Sequence, residues 1–185
     1  DLMGFGRRRM DVAPEEVRDY VVYQVGALAG FVRAEGGRLA HVKPHGALYV
    51  MCSKQREYAQ AVAEAVREVA PNAILLLTGG VCEAAAREVG IRFVNEGYVD
   101  LDYDREGNLI IERRKAPRDP EEVARRAVSL AKEGRVRTRE GSHLELQVGS
   151  ICIHGDAPNA VEIAQEVRRA LEEAGVSIVP LPELF

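Results

Sequence analysis

No stretch of this 185-residue chain approaches the ~18 consecutive apolar residues that a membrane span needs, and none has the build of a signal-peptide core. No membrane partner is expected. Positive charge is not in excess either: 25 Lys and Arg face 29 Asp and Glu, a formal net charge of -4, with the basic residues scattered. That argues against nucleic acid as the main partner. Cysteine is sparse, and Cys52, Cys82 and Cys152 lie far apart among apolar neighbours with no CxxC. A disulfide framework is therefore not expected, and a reducing cytoplasm is the natural setting. Neither GxxxxGK(S/T) nor GxGxxG is present, so a P-loop or Rossmann nucleotide site has no support, and there is no HExxH. What remains is 46% hydrophobic and 29% charged, which is globular rather than disordered composition. Without repeats or linkers, residues 1–185 read as one domain with enough chain for a sizeable core.

Periodicity divides the chain into alternating helices and short apolar strands. A first helix is expected from Pro14, with Asp11 as N-cap and Glu15 and Glu16 in its first turn. Val17, Val21, Val25, Leu28 and Phe31 or Val32 recur at three- and four-residue spacing and predict one buried stripe. Strands are expected at Arg38–Val42, Ala73–Leu77, Ile91–Asn95, Ser150–Ile153 and Val176–Val179, with helices over 54–70, 81–89, 120–133 and 158–174. A turn at 104–108 predicts a hairpin returning through Leu109–Arg113, and two short strands flank Glu140-Gly141. Asp119-Pro120-Glu121-Glu122 is a helix start with Asp119 as N-cap. The continuous apolar run Ala73-Ile74-Leu75-Leu76-Leu77 has the look of a strand buried on both faces, as in a parallel sheet. The fold class is α/β.

In α/β folds, function gathers beyond the C-terminal ends of the strands. Three of the four histidines follow strands directly: His41 and His45 in His41-Val42-Lys43-Pro44-His45-Gly46, and His154 in His154-Gly155-Asp156. Thr78-Gly79-Gly80, and Glu96 with Asp100 and Asp102, also follow strands. A lone histidine in such a place most often caps a strand. Two independent clusters, with glycines for close approach, favour a functional pocket. Lys43 stands out because the chain has 21 Arg and only 4 Lys. An ammonium suits phosphate or a developing oxyanion, although a rim lysine can also simply snorkel. His154 with Asp156, or His41 and His45 with a carboxylate, are open to metal binding or acid/base work. The turn Gly155–Pro158 before a helix resembles an anion-binding turn. Arg7, Arg8 and Arg9 are read equally as a clamp for carboxylate or phosphate and as a solvated face.

Three segments carry a resemblance. His41-Val42-Lys43-Pro44-His45-Gly46-Ala47-Leu48-Tyr49 is close to the most characteristic motif of the LamB/YcsF family. Asp1-Leu2-Met3-Gly4-Phe5-Gly6-Arg7-Arg8 resembles the end of a second motif, and Ile151-Cys152-Ile153-His154-Gly155-Asp156-Ala157-Pro158 resembles a third. The resemblance implies an irregular β/α barrel of the glycoside hydrolase/deacetylase type. The family's Asn-Cys-Asp-x-Gly-Glu stretch is not in this sequence, Leu101 stands where an Arg is usual after Asp100, and the approach to Asp119 is short. The chain is accordingly expected to be the C-terminal majority of a larger barrel. Its N-terminal strands would be missing, so the chain is expected either to be the retained part of a longer protein or to cover its open edge with another subunit.

The activity the resemblance implies is ATP-dependent cleavage of 5-oxo-L-proline to L-glutamate by a 5-oxoprolinase, with this family supplying the A subunit beside B and C subunits. In that reading Lys43, His45, His154 and Asp156 are catalytic, and Arg7, Arg8, His41, Glu96 and Asp100 bind substrate. ATP sits on this chain or on a partner, a divalent metal is a further option without assigned ligands, and a homo-oligomer is open. Two alternatives stand beside it: a metal-dependent deacetylase or amidohydrolase acting alone, and a non-catalytic ligand-binding subunit.

Overall fold

Ile74–Leu77 is the strand most plainly marked in the sequence. The computed structural model, which describes residues 2–110 and 116–185, buries all four of its side chains. At roughly 1.5–3 kcal/mol for each aliphatic side chain taken from water, this strand is a main anchor of its surroundings. Contacts divide the chain into two compact units, one running to Asn95 and including Phe185, the other Glu96–Leu184.

The first unit contains α1 (Pro14–Ala34), β1 (His41–Val42), α2 (Ala47–Lys54), α3 (Arg56–Val69), β2 (Ile74–Leu77), α4 (Gly80–Val89) and the first half of β3 (Phe93–Tyr98). β2 pairs in parallel with β1, His41 opposite Ile74, and with β3, Leu77 opposite Asn95. α3 packs against α1, α2 and α4. It can do so because its buried residues are small: Ala59, Ala61, Ala63 and Ala65 beside Val62 and Val66 allow backbones to approach closely.

Three expectations need correction here. Ala13, not Asp11, caps α1; Pro14 occupies the first helical position, and the Glu16 carboxylate accepts the Ala13 N–H at 2.9 Å. The α1 stripe is buried only at Val17 and Val21, while Leu28 and Phe31 are 55% and 74% exposed. The period was right, but packing on α3 covers only its N-terminal part. The helix expected over 54–70 is α3, beginning at Arg56, but a further helix, α2, precedes it unforeseen, and the extended Gln55 (φ -127°, ψ 115°) separates the two.

The second unit contains the rest of β3, β4 (Asp102–Tyr103), β5 (Leu109–Ile110), α5 (Pro120–Glu133), β6 (Arg135–Arg137), β7 (His143–Glu145), β8 (Ser150–Cys152) and α6 (Ala160–Glu173), then a 3-10 turn at Leu181–Leu184. β3 pairs in parallel with β8, Glu96 opposite Ser150 and Tyr98 opposite Cys152. Gly97 is needed there, since a Cβ would lie 2.7 Å from the Leu130 side chain of α5. α5 and α6 pack together and bury Val123, Ala127 and Leu130, and Ile163, Val167 and Leu171.

The β4–β5 hairpin is present, turning on Asp104, whose Oδ1 accepts the N–H groups of Glu106 and Asn108. Its expected continuation over 111–113 lies outside the described residues. Asp119 caps α5 as expected, its Oδ1 accepting the Glu121 N–H at 3.0 Å. β6 and β7 form the antiparallel pair expected around Glu140-Gly141. The final strand does not form: Val176–Val179 has no ladder among the described residues, and Ile178 and Val179 are exposed. A β-prone run becomes a strand only where an edge accepts it. α6 starts at Ala160 rather than Pro158, because Asn159 uses its side-chain amide to bond both the N–H and the C=O of Arg118. The α/β class with parallel strand pairing is what the structure contains. No helix of the described residues is long and apolar enough to cross a membrane.

Candidate functional site

In the first unit the N-terminal turn and the loop after β1 are tied together. Gly6 O accepts the Ala47 N–H at 2.7 Å, and the His45 Nε2–H donates to Phe5 O at 3.1 Å. A carbonyl can only accept, so this bond leaves Nδ1 as the accepting nitrogen of a neutral His45. The Phe5 and His45 rings meet edge to face at 5.4 Å, and the Arg7 guanidinium lies 5.8 Å from the Phe5 ring centre. Phe5 takes the left-handed φ of 53°, a costly conformation for a bulky residue that its neighbours must enforce. The exposed Lys43 holds its Nζ 5.6 Å from the centre of the buried Tyr49 ring. His41 is exposed at the start of β1, and Arg8 is exposed. After β2, the Gly79 N–H donates to Asn95 Oδ1 at 3.1 Å.

The second unit holds a different cluster. Asp100, 4% exposed, accepts the His154 backbone N–H at 2.7 Å, and both of its oxygens lie 3.0 Å from His154 Nδ1. An ionised carboxylate is acceptor only, so Nδ1 carries the proton and Nε2 is the basic nitrogen. The imidazole is part-buried, its side chain 30% exposed. The Tyr98 ring stacks on it at 5.6 Å and 21°. The Tyr98 hydroxyl donates to Glu96 Oε2 at 2.9 Å, and the Tyr98 N–H donates to the Tyr103 hydroxyl at 2.8 Å. Burial pushes the Tyr103 phenol up to about 12, so it stays a neutral partner. Glu96, expected to touch substrate, is 2% exposed. Asp156 is exposed in the turn beyond His154. Sequence reasoning paired His154 with Asp156; the structure seats the imidazole on Asp100.

Just beyond, Asp102 receives three guanidinium groups. Arg118 binds both of its oxygens at 2.9 and 3.2 Å, Arg126 reaches Oδ1 at 3.2 Å, and Arg139 reaches Oδ2 at 3.0 Å. The Arg118 bonds, with help from Arg139 and Arg126 and against the effect of burial, hold its carboxyl at about 2. Tyr98 and these arginines were not foreseen. Glu96 and Tyr98 sit two residues apart in β3, the spacing that keeps strand side chains on one side, and that signal would have found Tyr98. Among the described residues no three His, Cys, Asp or Glu side chains form a metal cluster.

With this geometry in hand, known proteins are informative. A model of the LamB/YcsF family matches residues 1–185. The chain is 46% identical over 188 residues to the 5-oxoprolinase A subunit of Pyrococcus furiosus, covering all of this chain and 74% of that protein. It is 47% identical to the protein of the same name from Coprothermobacter proteolyticus, over 98% of this chain and 70% of the relative. Among solved structures, the lactam utilization protein of Thermus thermophilus superposes with a TM-score of 0.85 at 44% identity, covering 98% of this chain and 73% of that one. The family model over the whole chain and relatives of this identity and coverage show that the chain belongs to the LamB/YcsF family.

Proposed function

We propose that this chain is the A subunit of a 5-oxoprolinase that couples ATP hydrolysis to the opening of 5-oxo-L-proline to L-glutamate, with His154 as its acid/base group. The observation that carries the chemical part is the Asp100–His154 pair: a buried carboxylate on Nδ1 leaves Nε2 as a directed proton acceptor. Relatives named as the A subunit of 5-oxoprolinase support the substrate and the need for partner subunits.

The lactam is an unstrained amide and a poor electrophile. Transfer of the ATP γ-phosphoryl group to its carbonyl oxygen releases ADP and makes the ring carbon attackable. Water then adds to that carbon as His154 Nε2 takes its proton. The carbon–nitrogen bond breaks, and the same proton returns to the ring nitrogen, which leaves as the amine of glutamate. A second water releases phosphate from the acyl phosphate that remains. By residue type, Lys43 is suited to phosphate or oxyanion charge and Arg7 or Arg8 to a carboxylate. Bound ATP is assigned to the assembled complex, with B and C subunits.

The test is an assay of ADP and glutamate from 5-oxoproline with the full complement of subunits. Glutamate formed only with ATP and all subunits supports the reading. Hydrolysis by this chain alone without ATP, or an unaltered rate in H154A, overturns it.

A further inference from the structure

The bond from Asp100 to Nδ1 fixes one point of the His154 ring but leaves the ring free to pivot about that point. Nε2 would then sweep an arc, and a proton acceptor that wanders loses the alignment that makes it effective. Something must hold the face of the ring as well as its edge.

We propose that Tyr98 is a positioning residue that locks the imidazole plane of His154. Its ring lies nearly parallel to the imidazole, 21° from it with centroids 5.6 Å apart. Tyr98 is in turn fixed at both ends, by its N–H on the Tyr103 hydroxyl and by its own hydroxyl on Glu96. It is 4% exposed, and Glu96 is 2% exposed, so the stack is held by core residues rather than by mobile surface groups. Glu96 thereby acts at one remove: it steadies Tyr98, Tyr98 steadies the plane of His154, and Asp100 steadies its edge. Core packing alone asks for an apolar filler at 98 and has no use for a planar face at this angle.

The inference rests on the reading of His154 as acid/base group, and the experiment separates the two. Tyr98→Phe keeps the planar face; Tyr98→Leu removes it, and Tyr98→Met fills the volume without a plane should Y98L prove too unstable to purify. In the reconstituted complex, Y98F is expected to keep kcat within about threefold, and Y98L or Y98M to lose about 10- to 100-fold in kcat with KM unchanged. In the full chain, the downfield Nδ1 proton resonance of His154, identified by its loss in H154Q, is expected to persist in Y98F and to broaden or shift in Y98L or Y98M. Turnover and resonance both unchanged in the non-aromatic variant, while H154A abolishes turnover, would overturn the positioning role and leave the acid/base role standing. If H154A retains full turnover, the acid/base role fails, and the resonance alone decides whether Tyr98 orders the ring.

Discussion

Gly46 lies against the backbone of Gly6: a Cβ placed on Gly46 would fall well inside contact distance of the Gly6 carbonyl oxygen and 3.0 Å from its carbon. Gly46 also has φ 60°, which side-chain-bearing residues rarely adopt. One position thus answers to both sterics and backbone conformation. Gly46→Ala is expected to cost about 2–3 kcal/mol, measured by urea unfolding, whereas Gly26→Ala in α1, where a Cβ would meet nothing, should be neutral or stabilising. Equal stability of G46A and wild type would refute the close approach.

His154→Ala in the reconstituted complex should lower kcat by ~10²–10⁴. Asp100→Asn, which can pair with either tautomer and so releases control over the basic nitrogen, should lower it by about 10². Both variants are expected to keep their circular dichroism. A D100N variant with wild-type turnover would show that the carboxylate is structural.

Asp102 titrates at about 2 in the folded chain against an ordinary 3.8. A depressed carboxyl contributes stability that is complete above its unfolded value and is lost as pH falls through the folded one. Asp102→Asn should therefore cost about 1 kcal/mol near pH 7, after allowance for screening at a partly exposed site. The gap between variant and wild type should close between about pH 4 and pH 2. Denaturant melts across that window would show a pH-independent gap if the arginines do not act through this carboxylate.

Cys52 and Cys82 are fully buried, and burial pushes both thiols up, Cys82 to about 12. Ellman's reagent at pH 8 is expected to modify no more than the partly exposed Cys152 until the chain unfolds, because the thiolate is the reactive form. Rapid reaction of two or three thiols in the native state would contradict this packing.

Phe31→Ser at a 74% exposed position should change stability by less than about 0.5 kcal/mol, and Val21→Ala, at 7% exposure, should cost about 2 kcal/mol. Thermal melts of the two variants side by side provide the comparison. A larger loss for Phe31 than for Val21 would mean that the C-terminal part of the α1 stripe is the buried one.

Much of the fold was legible because its signals are local. The run Ile74–Leu77, the Asp119-Pro120 start of α5 and the turn at Asp104 each carry their explanation within a few residues. Where the sequence misled, a partner decided. Val176–Val179 has strand composition but gains no ladder, and α2 was hidden because Ala47–Cys52 is apolar without a clear helical period. The site divides the same way. Lys43, His45 and His154 are conspicuous by type and by placement after strands. The seat of His154 on Asp100 joins residues 54 apart in sequence, and no spacing rule announces it. Asp156, two residues away, was the carboxylate that spacing alone put forward.

The three guanidinium groups on Asp102 also bear on the order in which the chain comes together. They lie 16, 24 and 37 residues further along, so one carboxylate closes three loops of increasing length. Beyond the first, closure grows only slowly dearer: the longest costs about 0.7 kcal/mol more than the shortest. All three contacts are non-local, and those of Arg126 and Arg139 need α5 and the β6–β7 turn in place, which argues for a late clasp. Loss of Asp102 should then leave the refolding rate nearly unchanged and hasten unfolding. The clasp at Asp102 would govern how long the folded state lasts rather than how fast it is reached.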